Sequence, residues 1–360
     1  GSMFKLVLKK ILQALVTLWG LATIVFILFQ AIPSDPARMM LDQREDEEQL
    51  KAIRARYGFD KPLPVQYLYY INDLSPLSIN SNTPGNYTYP ADKYSYIRLL
   101  PLGKYSLILK FPYLRQSYQR DGLNVSSIIG QTLPNTVVLA VVAMTLAMII
   151  GIFIGILAAL WRDSVFDRAV SVLGSIGMSV PSFFAAIIVA WVFGYLLHDY
   201  TGLSMTGNLY TIDNLGRGEY LTIAAIILPA ITLGMRPLAV VIQLMRGSLL
   251  DVMSQDYIRT ARAKGLSTYA VILKHALRNA LNPVITAASG WFAGMLAGAV
   301  FIEYIFAWNG LGKAIVDALN SMDLPVVMGS VLVIASIFIL INIFVDVIYA
   351  WLDPRIRTTK

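Results

Sequence analysis

The chain has 360 residues, 56% of them hydrophobic and only 14% charged, with a formal net charge of +7. Its mean hydropathy is +0.61, and a soluble domain of this size carries far more charge, so a membrane protein is expected. With no cysteine, a disulfide framework, a thiolate metal site and a thiol nucleophile are excluded.

In chain order, Gly1 and Ser2 before Met3 read as a cloning scar. Six apolar segments follow, roughly Leu8–Ile32, Pro134–Leu160, Ala169–Leu197, Leu221–Leu244, Val284–Phe301 and Val326–Ala350. Each approaches or exceeds the roughly 20 residues that cross a bilayer core as a helix. The first, preceded by Lys5, Lys9 and Lys10, is too long for a signal-peptide core, and no small-x-small site follows in "FQAIPSDP"; an uncleaved anchor is expected.

The short loops differ sharply in charge. The N-terminus, residues 161–168, residues 246–282 and the tail hold Lys5, Lys9, Lys10, Arg162, Arg168, Arg246, Arg259, Arg262, Lys264, Lys274, Arg278, Arg355, Arg357 and Lys360; the opposite short loops hold only Arg217 and Lys313. The positive-inside rule places the first set, and both termini, in the cytoplasm. The basic charge is then topogenic, which argues against nucleic acid.

Residues 33–131 form a long external segment. Its first part, from "LDQREDEEQL" to "INDL", reads as helix, acidic early and basic late, with Gly58 and Pro62 ending the first helix. Residues 75–122 are rich in Tyr and Pro, with "NTPGNYTYP" as a turn region; they suit either a partner surface or a cap on the span ends.

Inside the membrane, Arg236 in "LGMRPLAVVIQ" costs roughly 2.5–3.5 kcal/mol on insertion scales. It must face a pore or another helix, as a contact to a substrate carboxylate or as a partner of a backbone carbonyl. Pro181, Pro229 and Pro237 kink or loosen their spans. Gln243, Asn342 and Glu303 are candidate interhelical hydrogen-bonders, and Asp346 is expected to pair with a nearby base.

The loop "SQDYIRTARAKGLSTYAVILKHALRNALNPV" is the most polar stretch of the second half. Ser254 is placed to cap a helix with Asp256 in its first turn, and that helix stops at Gly265. Ser267 or Thr268 starts a second helix with Tyr269, Ile272, Leu273, Ala276, Leu277, Ala280 and Leu281 on one face and Lys274, His275, Arg278, Asn279 and Asn282 on the other. Pro283 opens the fifth span. By its residues alone this lever suits either a lipid surface or a protein partner.

"DYIRTARAKGL" followed by "HALRNALNPV" resembles the coupling loop of ATP-binding-cassette importer permeases, specifically the dipeptide/oligopeptide/nickel branch. Arg259, Thr260 and Ala261 stand where the generic motif has Glu-Ala-Ala, three residues before its glycine, here Gly265. "SDPAR", "RYGFDKPLPVQY", "LPNTVVLA", "SVPSFF", "WNGLGKAIVDAL", "DLPVVMG" and "FVDVIYAWLDPRIR" agree; residues 75–122 stand outside as an insertion.

The resemblance implies an all-α membrane protein with six transmembrane helices, a type I ABC importer-like permease, carrying a large external loop domain between helices 1 and 2. The parts are an anchor helix (3–32), the extracytoplasmic loop domain (33–131, with 75–122 inserted), a permease core (132–353) that includes coupling loop 246–282, and a cytoplasmic tail (354–360). It implies a bacterial inner-membrane subunit importing di- or oligopeptides. Its partners are a second homologous permease, two ABC ATPase subunits, an extracytoplasmic substrate-binding protein, the peptide and membrane lipid, with no nucleic acid. The coupling residues are Asp256, Tyr257, Arg259, Thr260, Ala261, Arg262, Ala263, Lys264 and Gly265, with Arg236 and Pro181 as pore or interface candidates.

No GxxxxGK[ST] is present and "GLGKA" (310–314) has the wrong spacing. ATP and Mg are therefore expected on partner ATPases, with no cofactor, metal or catalytic residue in this chain. Rival readings are an ion-gradient-driven secondary transporter, which calls for mid-membrane carboxylates or broken helices, and a membrane enzyme, for which His198 and His275 are the only imidazoles. Nickel chelates and sugars remain alternative cargoes.

Overall fold

The computed structural model describes residues 1–30, 37, 47–212 and 219–352. "SDPAR" apart from Ala37, the acidic start of the expected external helix, Arg217, and Asp353-Pro354-Arg355 with the tail lie outside them. Contacts divide the chain into two compact units, one holding Gly1–Gln131 with Ala314–Ile339, the other Thr132–Lys313 with the segment from Leu340.

The first unit begins with α1, Ser2–Gln30. Helices α2 (Glu47–Tyr57) and α3 (Leu63–Leu74) follow. Gly58, at φ +76°, makes the turn between them, a conformation that glycine adopts without steric cost. Pro62 sits at the entry to α3, where a missing N–H costs nothing. α3 lies against α1: Phe26 stacks on Tyr70 and meets Tyr67 edge-on at centroid distances of 5.9 and 5.5 Å, and the Thr23 and Tyr67 hydroxyls are 2.7 Å apart.

Residues 75–122 contain a feature that their turn-rich composition hides. Strands β1 (Leu77–Ser81), β2 (Ile97–Leu102) and β3 (Tyr105–Leu109) form an antiparallel sheet in the order β1-β3-β2. Lys110 anchors it by donating to the carbonyls of Asn72 and Asp73 at 3.1 and 2.7 Å. A cation there satisfies the orphan carbonyls at the end of α3.

Among the described residues, five helices are long and apolar enough to cross a membrane: α1, α4 (Val125–Leu160), α8 (Ala224–Met253), the run Thr268–Ile305, and α12 (Leu324–Leu352). The sixth expected span is a bent pair. α5 (Val165–Ser179) and α6 (Ser182–Val189, continuing as a π-helical turn over Ala190–Leu196) meet at 111°. The kink expected at Pro181 is a full break: Val180 and Pro181 are extended, because proline clashes with helical geometry in the residue before it. Among the described residues, short helix α7 (His198–Thr201) and the paired strands β4 (Tyr210–Ile212) and β5 (Glu219–Leu221) link the bent pair to α8.

The second unit packs through small residues, as helices in lipid do. A Cβ on Gly155 would stand 2.6 Å from the Cβ of Met245, and one on Gly151 2.7 Å from a methyl of Val241, so α4 and α8 approach backbone to backbone. Asp167, at the start of α5, receives both the Nε and an Nη of Arg246 on α8, at 2.7 and 2.8 Å. Arg246, expected only as a topogenic charge, thus also has a fixed planar partner. Glu303, expected as an interhelical hydrogen-bonder, is buried and accepts from the amides of Gly312 and Lys313 at 2.8 and 3.3 Å. A Cβ on Gly310 would collide with this carboxylate, which accounts for the glycines of "WNGLGK".

Candidate partner-docking loop

The loop after α8 begins with a correction. Ser254 does not cap the next helix; its hydroxyl donates back to the Asp251 carbonyl at 2.7 Å, closing α8. Gln255 takes the extended position instead, and α9 runs Asp256–Ala263 without a side-chain cap. Its ends still suit the helix dipole, with Asp256 in the first turn and Arg262 in the last.

α9 is strongly two-sided. Ile258 and Ala261 are buried, packed with Met245, Leu249, Val271 and Ala276. Asp256, Tyr257, Arg259, Thr260, Arg262, Ala263 and Lys264 are exposed. Ala261 is therefore an anchor of the helix, while Arg259, Arg262 and Lys264 form an outward basic face. Tyr257 is steadied by Asn279, whose amide donates to the phenol at 2.9 Å. Thr260 is occupied locally, donating to the Asp256 carbonyl at 3.1 Å.

Gly265 turns the corner at φ +84° with nothing within 4 Å of a built Cβ. The demand for glycine there is conformational, because the left-handed region costs other L-residues roughly 1–2 kcal/mol. Ser267 caps α10 (Thr268–Val271), accepting from the Ala270 amide at 3.2 Å, as expected.

From Thr268 the chain continues without interruption to Ile305, passing through a π-helical turn at Ile272–Ala276 into α11 (Leu277–Ile305). Pro283 lies inside α11 and does not open it, a second correction. The amphipathic face also turns. Val271, Ile272, Ala276, Ala280 and Val284 are buried, while Tyr269 and Leu273 are 75% and 49% exposed. One extra residue in the π turn rotates the apolar stripe, which a 3.6-residue count cannot anticipate. Lys274, Arg278, Asn279 and Asn282 are exposed as expected.

Arg236 and Pro181 meet at the break in the bent pair. An Nη of Arg236, on α8, donates to the Val180 carbonyl at 3.1 Å, next to Pro181, and its Nε is buried without a protein partner. Of the two roles open to this arginine, the structure supplies the carbonyl contact. It compensates a backbone acceptor freed where α5 ends. Sequence reasoning missed the Asp167–Arg246 pair; the one legible signal was an acid beside the basic loop 161–168.

Residues 151–358 match the binding-protein-dependent transport system inner membrane component family, and residues 3–140 its N-terminal component. The di/tripeptide transport system permease protein DppB of Pseudomonas aeruginosa is 33% identical over 99% of each chain. The dipeptide transport system permease protein DppB of Alkalihalophilus pseudofirmus is 31% identical over 97% of this chain and 98% of its own. Among solved structures, the inward-facing MetNI methionine ABC transporter aligns with 61% of this chain and 96% of its own at 18% identity and a TM-score of 0.45.

Proposed function

The chain belongs to the family of inner-membrane components of binding-protein-dependent transport systems, and from that premise we propose that it is one permease half of an ATP-driven importer of small peptides. Peptide as cargo is supported by the names of its relatives, dipeptide and di/tripeptide permeases over essentially the whole chain. The proposed assembly adds a second permease, two ATPase subunits that bind ATP and Mg, and an extracytoplasmic binding protein. This subunit itself carries out no catalysis. Both termini and the 246–282 loop face the cytoplasm in this reading, supported by the charge asymmetry of the short loops.

The observation that carries the mechanism is the exposed basic face of α9 on a buried anchor. Ile258 and Ala261 lock the helix to the ends of α8 and α11, so a push on Arg259, Arg262 or Lys264 is delivered to two spans. Gly265 fixes the direction of the lever. Closure of the ATPase pair would move α9 and, through it, the spans. Arg236 at the Val180–Pro181 break lies on α8, the helix that the lever drives, which makes that break a natural place for the rearrangement to be absorbed.

Affinity purification of this chain from its native membrane, with mass spectrometry of its companions, tests the assembly. A second permease, ATPases and a binding protein are expected. Recovery of the chain alone in mild detergent, or peptide uptake that follows an ion gradient and ignores ATP, would refute the reading.

A further inference from the structure

The domain between the first two spans contains a cleft of about 300 Å³ that the transport reading does not use. Three cations border it: Arg56 from the end of α2, Lys93 from the turn before β2, and Arg115 beyond β3. Among the described residues, Asp92 is the only acid on its lining. Its walls are phenol rings, from Tyr57, Tyr87, Tyr89 and Tyr113.

The cations differ in what they have left to give. Arg115 is committed, its Nε donating to Asp73 at 3.0 Å, and the Tyr87 hydroxyl donates to the same carboxylate. Lys93 lies 3.5 Å over the Tyr87 ring and donates to the Tyr87 carbonyl. An ammonium has three donors, so with one on the carbonyl and one toward the ring Lys93 keeps one for a ligand. Arg56 makes long contacts, 3.4 Å to Gln116 and 3.9 Å to Asp121, and lies 5.4 Å from the Tyr57 ring centroid, leaving most of its fork available.

We propose that this cleft is a binding site for a small aromatic carboxylate, of acylated amino acid size, whose carboxylate is held by Arg56 and Lys93 and whose flat body lies among the tyrosines. The lining carries three cations against one acid, and Asp73 behind Arg115 removes a further charge, leaving an excess matched to a monoanion. A bare phosphate would leave most of the volume and the phenol walls unused. Arg binds a carboxylate with two parallel bonds, and aromatic faces favour a flat apolar body. The site does not rest on the transport reading.

The test uses the full chain in lipid nanodiscs, with N-acetyl-L-phenylalanine as probe and its C-terminal amide as control. Burial lowers the Lys93 ammonium to about 8, so at pH 8 the amine reacts readily with an added active-ester reagent, releasing its alcohol, and the acylation rate, read by mass spectrometry, reports occupancy. A saturating carboxylate probe should slow Lys93 acylation at least about threefold and leave Lys110, off the lining, unchanged. The amide should have no effect. Arg56→Ala, an exposed change that spares the fold, should raise the half-protecting concentration about tenfold. Equal protection by the amide, indifference to Arg56→Ala, or no protection of Lys93 at all would overturn the site.

Discussion

Charge is handled in opposite ways in the inter-span domain and in the α9 loop. In the domain, Asp73 is 2% exposed and bound to Arg115 and Tyr87, with Lys110 buried beside it on the α3 carbonyls. In the loop, Arg259, Arg262 and Lys264 stand in the open, while α9 is fixed by two apolar residues. A buried charge with its partners present holds its own fold together. An exposed set on a rigid anchor contributes little to its own fold and is available to something else. The polar residues of the domain are structural in the first instance; those of the loop point to a partner.

The largest effect that sharpens this contrast is expected at Asp73. Asp73→Ala strands the Arg115 guanidinium in a buried site, and breaking a buried pair costs roughly 3–5 kcal/mol. The domain should lose its cooperative thermal transition and become sensitive to protease across 75–122, while the transmembrane helicity of the chain persists. Domain stability indistinguishable from the parent would dissolve the distinction.

Next comes Gly265→Val. Its penalty is confined to the backbone, about 1–2 kcal/mol for a left-handed residue, enough to misdirect the lever. Membrane insertion should be normal, uptake should fall about tenfold, and Gly265→Asn, which tolerates this region, should recover most of it. Normal transport by the valine variant would reduce the corner to an incidental turn. Smaller still, Arg259→Ala should leave the thermal transition unchanged and weaken ATPase association about threefold, an effect that shrinks as salt rises. Unaltered association at low salt would remove the basic face from the contact.

Much of this was legible in the residues, unevenly. The spans follow from hydropathy alone, and the Gly265 corner and the Ser267 cap from turn and capping chemistry. What escaped lay where a local rule had a competitor. Ser254 could close one helix or open the next, and the end of α8 won. The π turn at Ile272–Ala276 shifted the stripe so that Tyr269 and Leu273 face outward. The sheet β1-β3-β2 hid because β2 is exposed throughout, because β1 buries Ser78 and Asn80 while exposing Leu77 and Ile79, the reverse of the usual alternation, and because Lys110 and the Asp73 carbonyl that it meets lie 37 positions apart. Asp167–Arg246 spans 79 positions, beyond any local pattern.

The smallest expected effect is a pH window belonging to the domain. Burial lowers Lys93 and Lys110 to about 8 from 10.5, opposed in both by Asp73, with Arg115 also lowering Lys93. Between about pH 8 and 10 the unfolded chain therefore holds more protons than the folded one, and stability must rise with pH. Above pH 10 the sign reverses. Burial raises Tyr87, Tyr94 and Tyr113, the last to about 12, so the unfolded phenols ionise first and stability falls. Scanning calorimetry of the chain in nanodiscs should show the domain transition climbing above pH 8 and declining beyond about pH 10. Lys93→Met should flatten the climb and spare the decline, because it removes a titrating ammonium and leaves every phenol in place. A transition that falls steadily from pH 8 would mean that these lysines are not desolvated, and the buried side of the comparison would lose its electrostatic basis.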